Sequence, residues 1–98
     1  MAYRVIILPA STRGEPSAEA DLERIDAEAR RLVLRRLVWL QENASDVIHH
    51  RLTNLPDDLA GLCRFRVANH RVLYWPYPDQ QLLKVYRVQH RREVYRGL

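Results

Sequence analysis

The sequence has one cysteine, Cys63, so no disulfide can form within the chain. Its neighbours Leu62 and Arg64 sit in a strand-like run, which makes Cys63 a small core hydrophobe. Lysine is nearly missing too. Lys84 is the one lysine among sixteen basic residues, and the rest are arginine. Arginine carries a planar fork that pairs two-pronged with phosphate and keeps its charge at any working pH. No long hydrophobic run occurs. The N-terminal apolar run, Val5 to Leu8, is too short for a signal segment or a membrane span. The expectation is a soluble, cytoplasmic chain with no membrane association. Repeats and low-complexity segments are absent. His49 and His50 are adjacent, so they cannot face the same way on a strand, and no other ligand-like residues accompany them. No metal site and no cofactor are expected.

What is present points to one small basic domain spanning 1–98. Hydrophobic residues make up 47%, enough for a single modest core. The formal net charge is +4. A small basic domain of this kind suits nucleic acid or an acidic protein partner.

"YRVIIL", Tyr3 to Leu8, is β-branched and aromatic and is closed by Pro9, which predicts a first strand. A Pro, Gly and Ser-rich loop follows. The segment from Ser17 to Ser45 is helical in pattern. Ser17 gives a partial cap signal, with acidic residues in the first turn, and Asp26 caps a second helix. Val33, Leu37 and Leu40 form that helix's core stripe, and Arg30, Arg31, Arg35 and Glu42 lie opposite. "DVIHHRLTNLPDDLAG" reads as a linker with Ile48, Leu52 and Leu55 as buried anchors. Three apolar runs follow: Leu62 to Ala68, His70 to Tyr77 and Gln81 to Gln89. Their short connections predict an antiparallel meander. Trp39 and Trp75 are expected in the core or at its edge.

The order strand, helix, helix, strand, strand, strand gives a two-layer α+β fold: a small twisted antiparallel sheet with a helical hairpin on one face. The other face is left to solvent or a ligand. Alternation along the first meander strand puts Cys63, Phe65 and Val67 on one face and Arg64 and Arg66 on the other. The arginines of "RFRVANHRVLYW" can therefore stand on the uncovered face.

This element order, with "LAGLCRFRVANHRVLYW" and "KVYRVQHRREVYRG", resembles the RelE/ParE superfamily of bacterial toxins from toxin–antitoxin pairs, and its RelE-like branch in particular. The resemblance runs from Tyr3 to Tyr95 and is most specific at Arg64 and Arg66, at "HRVLY", and at "HRREVY". It implies the fold just described. In the RelE branch it implies metal-independent cleavage of mRNA in the ribosomal A site; in the ParE branch it implies poisoning of DNA gyrase. The shared scaffold cannot choose between them. Three positions depart from the family pattern. Ala68 and His70 stand where many relatives carry a glycine and an aromatic, and Gln89 stands where glycine is common.

Cleavage by the RelE route is an attack of the 2′-hydroxyl on the adjacent phosphorus with loss of the 5′-oxygen. It needs a base, fixed positive charge for the phosphorane-like transition state, and an acid. Arginine suits the second task only. Similarity places Arg64, Arg71 and Arg91 around the scissile phosphate. Tyr95 matches the family's C-terminal tyrosine, which stacks on a base or transfers a proton. His90, with an unperturbed pKa of about 6.5, is the best-tuned acid–base group nearby. Glu93 is a further base candidate or an arginine partner, and His70 a second acid–base candidate. Arg66, Arg87 and Arg92 complete the set as RNA contacts. The implied partners are a cognate antitoxin, forming a toxin–antitoxin hetero-oligomer, and the ribosome with its mRNA. The competing reading is a ParE-like gyrase inhibitor without chemistry of its own.

Overall fold

The computed structural model describes residues 2–10 and 15–92. Its elements are β1 (Arg4–Ile7), α1 (Ala18–Arg24), α2 (Ala27–Asn43), β2 (His50–Arg51), β3 (Cys63–Val67), β4 (His70–Tyr77) and β5 (Leu82–His90). Both predicted caps form. The Ser17 hydroxyl accepts from the Ala20 amide at 3.1 Å, and the Asp26 carboxylate accepts from the Ala29 amide at 2.7 Å. Each such cap contributes about 1 kcal/mol. Between the helices Ile25 is extended. Arg30 reaches back from α2 and donates to the Leu22 carbonyl at 2.7 Å and the Ile25 carbonyl at 3.3 Å. It thereby satisfies acceptors that the end of α1 leaves open.

The five strands form one sheet in the order β1-β5-β4-β3-β2. The β3–β4–β5 meander is antiparallel as predicted. Two features go beyond the predicted sheet. β1 joins β5 in parallel, with Arg4 opposite Leu82. The segment read as a linker supplies β2, which pairs with Cys63 and Arg64. The reason is topological: the helices carry the chain from one edge of the sheet to the other, and His50 and Arg51 pair there before the chain turns back.

The main core lies between helices and sheet. Val33, Leu37 and Leu40 of α2 pack there with Cys63, Val72, Tyr74, Leu83, Val85 and Val88. Burying each aliphatic side chain is worth roughly 1.5–3 kcal/mol. A second, smaller cluster occupies the other face, where Leu62 and Leu73 are buried beneath Leu52, Leu55, Trp75 and Tyr86. That face is therefore only half uncovered. Two expected core residues are outside. Ile48 is 82% exposed, because β2 begins after it and nothing packs over it. Trp39 is 41% exposed on α2, with the Arg36 guanidinium 4.2 Å above its ring.

Two local details position the site. The β3–β4 hairpin turns on Ala68 and Asn69, with Val67 opposite His70 and Ala68 at φ +52°. The first loop position of such a turn is left-handed, a backbone conformation that favours glycine. The β4–β5 register slips between Leu73 and Tyr74: Leu73 faces Arg87, but Tyr74 faces Val85. Tyr86 is the extra residue of a β-bulge. Val85 and Val88, three apart, can then both enter the core, which strict alternation forbids.

Candidate nucleic-acid interface

The face turned away from the helices is built from alternate residues of three strands. Arg64 and Arg66 come from β3, and Arg71 from β4. Arg66 and Arg71 are direct cross-strand partners, and Arg64 is paired with His50 of β2 on one side and Leu73 on the other. Like charges placed directly opposite each other oppose sheet formation. None of the five strands contains an aspartate or glutamate. The sheet thus gathers cations without supplying their counterions from its own residues. Such a surface suits an anionic ligand.

The basic surface continues around the sheet edge. One cleft of about 420 Å³ is lined by Arg36, His50, Arg64, Phe65 and Arg66. A second, of about 430 Å³, is lined by Leu32, Arg35, Arg36, Trp39, Arg66, Val67 and Ala68. His50 and Arg36 belong to this site although spacing gave no sign of their joining it. His50 arrives through the unpredicted strand β2, and Arg36 through the packing of α2 along the β3 edge.

The expected site residues separate into five groups. Arg64, Arg66 and Arg71 come together, and the Arg71 guanidinium donates to the His70 carbonyl at 3.2 Å. Arg91 and Arg92 are exposed in the turn after β5, where the Arg91 amide donates to the Asn69 carbonyl at 2.7 Å. Arg91 is thereby held at the same end of the sheet as Arg71. His90 is not with the arginines. It faces His70 across β4 and β5, with ring centroids 5.7 Å apart. By alternation with Val72 and Val88 both rings lie on the helix side, where they line a hollow of about 260 Å³ with Asp21, Arg24 and Ile25. Tyr95 and Glu93 lie outside the described residues.

Arg87, expected among the RNA contacts, is placed instead in an ion pair with α1. Its guanidinium donates two hydrogen bonds to the Asp21 carboxylate, at 2.6 and 3.0 Å, and its side chain is 16% exposed. Asp21, buried in α1, also accepts from the Val88 amide at 2.9 Å and pairs with Arg24. The bulge at Tyr86 breaks the alternation that would have put Arg87 on the arginine face. Arg87 therefore holds α1 onto the sheet.

Other polar groups in the interior also have structural partners. His49 Nε2 lies 2.9 Å from the Ala44 carbonyl, which can only accept, so that nitrogen carries the proton. Nδ1 then accepts from the Tyr74 hydroxyl at 2.6 Å. Burial raises the Tyr74 phenol well above its ordinary value, so it remains a donor. Burial likewise pushes the Cys63 thiol up, which suits a packing residue rather than a nucleophile. Among the described residues no group of three or more His, Cys, Asp or Glu side chains could hold a metal ion, and no helix is long and apolar enough to cross a membrane.

Comparison with known proteins agrees with this architecture. The family model described as the ParE toxin of the type II toxin–antitoxin system, parDE, matches residues 14–95. No curated protein matches the chain significantly. Among solved structures, a chain of the RelBE2 toxin–antitoxin complex from Mycobacterium tuberculosis is 21% identical, with a TM-score of 0.69 over 92% of this chain and 99% of the other. The RelE–RelB complex from the archaeon Pyrococcus horikoshii is 23% identical, with a TM-score of 0.64 over 93% and 97%. The RelBE toxin–antitoxin complex of E. coli is 16% identical, with a TM-score of 0.63 over 91% and 96%. These likenesses establish a shared fold.

Proposed function

Because the chain belongs to the ParE toxin family of type II toxin–antitoxin systems, within the RelE/ParE superfamily, we propose that it is a toxin acting as a ribosome-dependent mRNA endoribonuclease. The observation that carries this reading is the sheet face on which Arg64, Arg66 and Arg71 converge from strands without a carboxylate. Arg71 and Arg64 hold the scissile phosphate and offset the charge that builds on its oxygens as the 2′-oxygen attacks. Arg91 approaches from the turn after β5, and Arg66 guides the strand. A hydroxyl must lose a proton and the leaving oxygen must gain one. On the arginine face the His50 imidazole, beside Arg64, can accept or donate a proton. Tyr95 shares this role. His90 acts at most from the end of the sheet. The toxin works in the cytoplasm, and its antitoxin covers the arginine face in a hetero-oligomer.

The test is induced expression in a bacterial host with mapping of mRNA 5′ ends. Cuts at fixed codon positions in translated messages, lost in Arg71→Ala, are the expected result. Toxicity that persists undiminished in both Arg71→Ala and Arg64→Ala would overturn it. The second reading is gyrase inhibition, favoured by the family model itself, which is that of the ParE toxins. It predicts DNA breaks without mRNA cuts.

A further inference from the structure

The arginines occupy one half of the face turned away from the helices. The other half is aromatic. Residues 71, 73, 75 and 77 alternate onto the same side of β4, so Trp75 and Tyr77 continue the line that Arg71 begins. Trp75 lies about 13 Å from Arg71 along the strand, and Tyr77 about 20 Å, at the usual rise per residue. From β5, the bulge residue Tyr86 brings its ring to 5.1 Å from that of Trp75, at 51°. Lys84, directly opposite Trp75, places its ammonium 5.4 Å from the Tyr77 ring.

We propose that Trp75, Tyr77 and Tyr86, flanked by Lys84, form a base-stacking strip that holds the single-stranded RNA next to the arginine cluster. The proposal rests on the nuclease reading and names how its substrate is held. Binding of single strands combines a basic track for the backbone with aromatic rings for the bases. Both parts are present here on one sheet face, in one line. The rings are half-buried rather than enclosed, since Leu62 and Leu73 are the residues buried beneath them. The strip is also fixed in advance. The Trp75 indole N–H donates to the Ala60 carbonyl at 3.1 Å, which holds the ring in one orientation and lowers the entropy cost of stacking. Charge sets its direction and its end. The strands offer phosphate only cations, and Asp79 stands in the turn beyond Tyr77, where a phosphate would be repelled.

The chain has two tryptophans, and Trp39 is exposed on α2, so Trp39→Phe leaves Trp75 as the sole tryptophan reporter. The experiment titrates this variant with a 2′-O-methyl oligoribonucleotide of about ten residues, which binds but cannot be cut. Trp75 emission should be quenched on saturation. An oligonucleotide of the same length with abasic positions should bind more weakly and leave the emission unchanged. Tyr77→Ala should weaken binding about 5- to 100-fold, the range that stacking of one base supplies, while Tyr77→Phe binds normally. If quenching is absent and Tyr77→Ala and Tyr86→Ala both bind normally, while Arg71→Ala binds weakly, the strip is wrong and the arginine site stands. If the free oligonucleotide does not bind at all, the strip is wrong; if it binds and Arg71→Ala binds it normally, both readings fail.

Discussion

The two sides of the sheet use arginine for opposite ends. On the helix side Arg87 is locked against a buried carboxylate and fastens α1 to β5. On the other side Arg64, Arg66 and Arg71 stand on strands that contain no carboxylate. Arg71 and Arg87 are separated by a single strand pairing, and composition does not distinguish them. What separates them is the partner within reach: Arg87, beside the bulge at Tyr86, meets the Asp21 carboxylate of α1. Whether a cation on a strand fastens one element to another depends on what its position brings it to rather than on residue type.

The sharpest way to break this contrast is to remove the helix-side anion. Asp21→Ala should cost about 3–5 kcal/mol, the range for stripping one partner from a buried ion pair, because Arg87 and the Val88 amide both lose their acceptor. Urea unfolding reads it directly, and a loss below 1 kcal/mol would show that Arg87 finds water instead. Next is Tyr74→Phe, also on the helix side. It leaves His49 Nδ1 without its donor and should cost roughly 1–3 kcal/mol by the same assay.

At the hairpin tip, which belongs to neither face, the sign reverses. Ala68→Gly relieves a left-handed alanine and should raise stability by about 0.5–1 kcal/mol, after the greater freedom of glycine in the unfolded chain is subtracted. A lower melting temperature would show that the turn is held by something other than its backbone angle. On the arginine face Arg66→Gln, at an exposed position, should alter stability by no more than about 0.5 kcal/mol while reducing RNA binding. A large stability loss there would erase the distinction between the two sides.

The smallest effect belongs to the solvated pair on α2. A hydrogen bond and the charge of Arg31 hold the Glu28 carboxyl below its ordinary value. A lowered carboxyl contributes stability above its unfolded pKa and loses it as pH falls through the folded one. Glu28→Gln should therefore slightly lower stability at neutral pH and remove this group's share of the decline below about pH 5, so that variant and parent converge in acid. Added salt should weaken even that difference.

The parts of the fold that were legible in the sequence were local. Ser17 and Asp26 cap within three residues of their targets, Val33, Leu37 and Leu40 repeat at the helical period, and the alternation of Cys63, Arg64, Phe65 and Arg66 sorts β3 between its faces. The arginine cluster followed from that same alternation. The features that escaped depend on distant residues. Arg87 finds a carboxylate 66 positions away through a bulge whose cause lies in cross-strand packing. His50 joins the site only because a short edge strand pairs with Arg64. Ile48 looks like an anchor in a linker and is left outside because pairing begins two residues later. His90 was assigned by its neighbours in sequence, whereas the pleat turns it to the helix side.

The parallel contact of β1 with β5 has a consequence in time. Hairpins such as β3–β4 close over a two-residue loop, at little loss of chain freedom. Arg4 can meet Leu82 only when nearly the entire intervening chain has been gathered. Contacts this distant in sequence slow folding and come late in it. β1 is thus among the last elements to find its place, and its docking couples the edge of the sheet to everything between, so that the meander is assembled early and the sheet is closed from this edge.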